Sequence, residues 1–105
     1  MSIAFHETTP ERIAQLHAVR DRMKGDAAVT QRQRLLVALQ ALGSLTTFEA
    51  MRHLDIFDPR PRKLELVADG VPIVMVWRLS ETESGDRHRV GLYVMDRTAP
   101  LPVKE

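Results

Sequence analysis

Three cationic side chains lie within four consecutive positions of the sequence, at Arg60, Arg62 and Lys63. The planar guanidinium of arginine can bind a phosphate or a guanine edge through two hydrogen bonds, and the lysine ammonium adds a point charge. The cluster therefore predicts a local anion site at the start of a helix. The alternative is a solvated helix face on which Arg62 pairs with Glu65 or Asp58.

A second positive pair follows a polar turn around Gly85. Arg87 and Arg89 alternate along a predicted strand, which places both on one face of it. We interpret them as candidate contacts to a phosphate backbone. The alternative is an ordinary ladder of surface charges, because acidic residues near the turn leave it with little net charge: Glu81, Glu83 and Asp86.

Two further candidates lie at predicted helix starts. Arg32 is in a first helical turn, where free backbone N–H groups can bind a phosphate, although an exposed polar side chain on a capped helix is the favoured alternative. Thr47 follows Thr46, the expected cap of the next helix, and its hydroxyl can donate to a phosphate.

Neither a metal site nor an enzyme is predicted. The four histidines are not spaced as metal ligands, cysteine is absent, and no phosphate-binding loop, dinucleotide fingerprint or nucleophile motif is present. No cofactor is therefore expected. Four aromatic residues could stack on bases, but their apolar surroundings favour packing in the core or the hairpin: Phe48, Phe57, Trp77 and Tyr93.

The composition describes one globular domain. The chain has 105 residues, of which 44% are hydrophobic and 28% charged, and its formal net charge is +1. A uniformly basic nucleic-acid coat protein is excluded by that charge, so an anion-binding surface must be local. No apolar run approaches the ~20 residues that span a bilayer, and the first residues do not resemble a secretion signal, so we expect a cytoplasmic protein without membrane contact.

Helix signals recur along the first two thirds of the chain. A helix over 10–24 follows Thr8-Thr9-Pro10-Glu11, and its thin apolar stripe either pairs with a second copy or covers the chain's own core. Capping boxes at Thr30-x-x-Gln33 and Thr46-x-x-Glu49 predict helices over 31–42 and 47–53. Asp58-Pro59 predicts a third over 59–68, ended by Gly70.

The period changes from helical to alternating after Gly70. Val71 to Leu79 and Arg87 to Met95 therefore predict an antiparallel hairpin, followed by a loose tail over 98–105. Three short helices and a hairpin over 30–97 give an α+β fold in the winged helix-turn-helix arrangement, with an N-terminal helical extension over 1–29. In that arrangement the third helix projects far enough to enter a DNA major groove, with the hairpin beside it.

The same stretch resembles the small winged helix-turn-helix proteins of phages, prophages and other mobile elements. The resemblance rests on an ordered set of segments: Leu45-Thr46-Thr47-Phe48-Glu49-Ala50, Ile56-Phe57-Asp58-Pro59, Arg62, Glu65-Leu66, Gly70, Trp77, Gly85 and His88-Arg89-Val90-Gly91-Leu92-Tyr93-Val94. It implies a DNA-binding fold without catalytic activity.

Lys63 and Leu64 depart from the pattern, which is usually aliphatic and then polar at these positions. Either the helix is rotated, or the Lys63 stem lies along the core.

These observations predict a small sequence-specific DNA-binding protein, a transcriptional regulator or accessory factor that reads double-stranded DNA with helix 59–68. Specific binding by so small a module normally requires a dimer, for which the N-terminal helix is the candidate. The alternative is a winged-helix module that binds only proteins. If DNA is the partner, five cations should converge on one face: Arg32, Arg60, Arg62, Lys63 and Arg89.

Overall fold

The computed structural model describes residues 3–98, so the predicted tail beyond Thr98 lies outside the described residues. Within that range the chain forms four helices and one three-stranded antiparallel sheet, which confirms the predicted α+β class. In chain order the elements are α1 (Pro10–Arg22), α2 (Ala28–Leu42), β1 (Ser44–Thr46), α3 (Thr47–His53), α4 (Pro59–Ala68), β2 (Ile73–Glu81) and β3 (Arg87–Met95).

Three of the helix starts follow the side-chain signals in the sequence. The Thr9 hydroxyl accepts from the backbone of Arg12 at the start of α1. Thr46 and Glu49 form the predicted reciprocal capping box at α3. Asp58 caps α4, with Pro59 at the first helical position. These caps satisfy backbone donors that would otherwise lack a partner, and they fix where each helix begins.

The predicted cap of α2 is wrong. The helix begins at Ala28 rather than after Thr30, and its N-cap residue, Ala27, makes no side-chain hydrogen bond. The chain turns at Gly25, whose φ is 119°, and can become helical immediately afterwards. Because Ala27 and Ala28 are exposed, water can satisfy the first backbone donors and no side-chain cap is needed.

The sheet has one strand more than the sequence predicts. β3 is central and pairs antiparallel with β2 on one side and with β1 on the other, where Ser44 lies opposite Val94 and Thr46 opposite Leu92. β2 begins at Ile73, two residues later than predicted, because Pro72 has no backbone N–H to donate to a ladder. The hairpin formed by β2 and β3 is the wing.

Residues 4–6 extend the sheet beyond the outer edge of β2. The backbone N–H of Leu79 donates to the Ala4 carbonyl at 2.9 Å, and the N–H of His6 donates to the Leu79 carbonyl at 2.8 Å. Phe5 is thereby paired with Leu79 in parallel orientation. Part of the N-terminal extension thus covers an edge of the wing.

One core joins α1 to the rest of the chain. Leu16 and Val19 of α1 are buried in the same cluster as residues of α2, β1, α4 and β3, among them Leu35, Leu39, Leu45, Leu66 and Tyr93. The apolar stripe of α1 therefore covers the chain's own core, which was the alternative to pairing with a second copy. No helix of residues 3–98 is long and apolar enough to cross a membrane.

The aromatic side chains are divided between core and surface. Tyr93 is buried, but Phe57 is 90% exposed, so the prediction that Phe57 packs in the core or the hairpin is wrong. Phe57 follows the buried Ile56 in the turn before α4 and points away from the core. Trp77 lies on the hairpin, as predicted, and is 46% exposed.

Candidate nucleic-acid interface

An open groove of about 450 Å³ runs between α4, the start of α3 and the wing, and we call it the α4 groove. The floor of the groove lies at Gly91, which has no side chain. A Cβ atom added at this position would lie 3.4 Å from the Met75 sulfur. Trp77 lies directly opposite Gly91 in the strand register. The described residues that line it are Thr47, Phe48, Arg60, Lys63, Leu64, Met75, Trp77, Arg89, Val90, Gly91 and Tyr93.

Four of the seven predicted DNA-binding residues line this groove, from three different elements. Thr47 comes from α3, Arg60 and Lys63 from α4, and Arg89 from β3. Their common location could not be read from their positions in the sequence. Among the described residues that line the groove, none is acidic, so the lining itself carries positive charge.

Two of these cations are positioned by aromatic rings. The Arg89 guanidinium carbon lies 4.7 Å from the centre of the Trp77 ring, and the Lys63 ammonium lies 6.0 Å from the centre of the Tyr93 ring. Contacts of this kind hold a cation near a surface without neutralising it. Lys63 is partly buried, which agrees with the alternative in which its stem lies along the core. Burial raises the pKa of Tyr93, so its hydroxyl remains protonated.

Arg60 is highly exposed but is not free of negative charge. Its guanidinium lies 3.2 Å from the Asp58 carboxylate. The pKa of Asp58 is lowered mainly by the side-chain hydrogen bond from Arg60 and also by the hydrogen bond from the Arg60 backbone N–H. The side-chain hydrogen bond in turn raises the pKa of Arg60. Asp58 is also the N-cap of α4, so a phosphate that approaches this helix start must compete with it.

Arg62 and Arg32 do not line the groove. Arg62 is 2.7 Å from Glu65, three residues further along α4, and Arg32 of α2 is 3.3 Å from the same carboxylate oxygen. One carboxylate thus pairs with a cation from each helix and connects α2 to α4. The predicted alternative, an internal pair between Arg62 and Glu65, is present in the structure.

Arg87 also lies outside the groove. Its guanidinium is 5.2 Å from the centre of the Phe5 ring and 3.9 Å from Glu81 on the adjacent strand. It is well exposed at the tip end of the wing. Of the five cations expected to converge, Arg60, Lys63 and Arg89 do so.

Sequence reasoning missed the buried polar cluster around Glu49. This carboxylate is 1% exposed and accepts hydrogen bonds from the Thr8 hydroxyl at 2.9 Å and from the Arg12 guanidinium at 2.9 and 3.0 Å. His6 Nε2 lies 3.0 Å away. The capping box identifies Glu49 as a backbone partner, but nothing local in the sequence signals its distant partners.

The charge of Glu49 is stabilised although the group is buried. Burial by itself raises the pKa of Glu49. Hydrogen bonds from His6 and Arg12, with the backbone N–H of Thr46, outweigh that effect and hold the pKa far below its ordinary value. The carboxylate is therefore ionised at neutral pH and links the N-terminal segment to the start of α3.

A second unpredicted pair is formed by two histidines. His17 Nε2 of α1 lies 3.3 Å from His53 Nδ1 of α3. Burial and the neighbouring His17 lower the pKa of His53. Within residues 3–98, no group of three or more histidines and carboxylates is arranged to hold a metal ion. The pair is a contact between α1 and α3.

A comparison with known protein families matches residues 30–98 to the model of a winged helix-turn-helix domain. The chain belongs to the winged helix-turn-helix domain family. In this winged helix-turn-helix protein, α2, α3 and α4 are the three core helices and β2–β3 is the wing, as the sequence predicts. The matched range excludes α1 and the segment before it. Neither the curated proteins nor the solved structures that were compared contain a match to this chain.

Proposed function

We propose that this winged helix-turn-helix protein binds double-stranded DNA, with α4 in the major groove and the wing beside the phosphate backbone. The observation that supports this most is the α4 groove, where Arg60, Lys63 and Arg89 meet; no acidic residue is among the described lining residues, although Asp58 beside the groove pairs with Arg60. Family membership supports the same function, since winged helix-turn-helix domains are typically DNA-binding modules.

The shape of the site agrees with this function. A helix with its side chains is about 10–12 Å wide, which matches the width of the B-DNA major groove. The exposed Arg60 lies in the first turn of α4, from which a recognition helix contacts base edges. Arg89 lies on the wing across the groove from α4, where it can reach a phosphate.

We further propose that the protein is a sequence-specific regulator of transcription, or an accessory factor, of a phage or mobile element, and has no catalytic activity. Its sequence resemblance to proteins of such elements supports this role. One module of this size offers few base contacts, so specific binding would normally require two copies on adjacent half-sites. The apolar stripe of α1 is buried, so a dimer would use another surface.

Salt dependence tests the DNA-binding function directly. Binding of a random 20-base-pair duplex is measured by fluorescence anisotropy. We expect the protein to bind it weakly at ~50 mM salt and much more weakly at ~200 mM. The logarithm of the affinity should fall with the logarithm of the salt concentration with a slope of about −3. On a random duplex without the preferred site, we expect all three groove cations to contact phosphates. No binding at either salt would reject the function.

Charge-removal variants locate the contact. Arg89→Ala and Lys63→Ala should each weaken binding several-fold and reduce the salt slope by about one. Arg22→Ala is a matched control, because Arg22 is exposed at the end of α1 and does not line the groove. Equal losses in Arg22→Ala and Arg89→Ala would place the DNA elsewhere on the protein.

A second candidate function is the binding of a protein segment in the α4 groove. It is favoured by the partly exposed apolar side chains of Leu64, Met75 and Trp77, because exposed apolar patches often mark protein contacts. Trp77 is the only tryptophan, so its fluorescence reports occupancy of the groove. Gly91→Val should fill the floor and abolish the binding of peptides selected from a random library, while Arg89-dependent DNA binding persists.

A further inference from the structure

The exposed side of α4 is largely apolar. Leu64 is 62% exposed and Val67 is 40% exposed. They follow Arg60 at intervals of four and three residues, so the three side chains form one row along the helix. Of the two cations between Arg60 and Leu64, Arg62 pairs with Glu65, whereas Lys63 lies over the Tyr93 ring and lines the same groove.

An apolar side chain on a DNA-reading helix has few chemical partners. Leu64 has no group that can bond to the donors and acceptors of a base edge. The apolar group that base pairs present in the major groove is the C5-methyl group of thymine. Contact with that methyl removes apolar surface of both partners from water, which is favourable.

The charges around the row favour DNA over a purely apolar partner. Arg60 lies one turn before Leu64, and Arg89 and Lys63 line the same groove. An apolar protein surface on this row would take these cations out of water without compensation, which is costly. A duplex provides phosphates for the cations and thymine methyl groups for the row.

We propose that Leu64 is a specificity-determining residue that contacts thymine methyl groups, with Val67 extending the row. The inference rests on the proposed DNA-binding function. The preferred DNA site should contain thymine where it faces the middle of α4.

Removal of single methyl groups from the DNA tests this role. Wild-type protein first selects its preferred duplex from a random pool, and each thymine of that duplex is then replaced by deoxyuridine, which lacks only the methyl group. Dissociation constants are measured by fluorescence anisotropy. At one or two of the thymines, we expect the replacement to weaken wild-type binding about fourfold. This is the effect on affinity expected from burying one methyl group.

The variant Leu64→Ala identifies the side chain responsible. It should bind the thymine and deoxyuridine duplexes equally at those positions and keep its thermal unfolding midpoint, because Leu64 is well exposed. Val29→Ala, a similarly exposed apolar residue at the start of α2, should retain the wild-type preference.

Three results would overturn the inference while leaving DNA binding intact: equal losses in wild type and Leu64→Ala, no loss in wild type, or a selected site without thymine. Failure of the wild type to bind any duplex would overturn the proposed function and this inference together.

Discussion

A single buried carboxylate, Glu49, connects parts of the chain that are far apart in sequence. Its oxygens accept from Thr8 and Arg12 near the N-terminus and from the backbone of Thr46 beside α3. Arg12 also donates to the Ser44 carbonyl at 3.0 Å, so β1, which directly precedes α3, is held at two points. Because α3 positions α4 in this fold, the cluster contributes to the placement of the α4 groove.

Removal of the Glu49 charge should destabilise the fold in a pH-dependent way. Glu49→Gln leaves Arg12 without its ionic partner, at an expected cost of about 3 kcal/mol in the free energy of unfolding at pH 7. The lowered pKa of Glu49 means that its contribution is present above the unfolded value of about 4.3 and is lost as the pH falls below it.

Urea unfolding at pH 7 and pH 3 measures this difference. The gap between wild type and Glu49→Gln should be smaller at pH 3, where the carboxyl of the unfolded wild-type chain is protonated. Glu7→Gln is the control, because Glu7 is exposed and should change stability by less than about 0.5 kcal/mol. A gap that is constant with pH would show that the Glu49 charge does not stabilise the fold.

At the scale of elements, the signals within one helical turn predict three helix starts correctly but fail at α2, where the expected cap at Thr30 is wrong. Thr46 with Glu49, and Asp58 with Pro59, predict the starts of α3 and α4, and both are confirmed. β1 could not be predicted, because Ser44–Thr46 is a strand only through its pairing with β3, much later in the chain.

Predicting the site depends on how the elements are rotated against each other. Arg62 and Lys63 are adjacent in sequence, yet one pairs with Glu65 and the other lines the α4 groove. The burial of Leu66 in the core sets the rotation of α4, and this rotation decides where the side chains of Arg62 and Lys63 point. The sequence predicts where cations are dense, whereas the packing decides which of them share a surface.

The N-cap of α4 illustrates a conflict between helix stability and anion binding. Asp58→Asn keeps a good cap, because asparagine caps helices about as well as aspartate, but it removes the negative charge beside Arg60. We expect stability to change by less than about 0.5 kcal/mol and the affinity for random duplex DNA at ~50 mM salt to rise a few-fold.

Asp69→Asn is the matched control for this experiment. Asp69 is exposed at the other end of α4 and does not line the α4 groove, so its charge should affect DNA affinity less than that of Asp58. Equal gains in the two variants would indicate a general effect of net charge. An unchanged affinity in Asp58→Asn would mean that phosphates do not approach the start of α4.

At the scale of the whole molecule, residues 3–29, which precede the family match, are built into the fold. Residues 4–6 pair with Leu79 on the wing, and Leu16 and Val19 lie in the common core. The buried Arg34 of α2 donates to the carbonyls of Met23 and Gly25, which fixes the connection between α1 and α2. The N-terminal region thus contacts both the wing and the helices that position α4.

Deletion of residues 1–24 should therefore abolish cooperative folding rather than leave an independent domain. The deletion removes Leu16 and Val19 from the core, and the burial of each contributes about 1.5–3 kcal/mol to stability. It also leaves the buried Glu49 charge without its partner Arg12. Together these losses are comparable to the total stability of a typical domain, which is about 5–15 kcal/mol.

Circular dichroism during urea unfolding measures the effect, with Leu16→Ala as a milder variant that should still unfold cooperatively. A sigmoidal transition in the truncated chain would show that residues 25–105 fold alone and that the N-terminal region only adds stability.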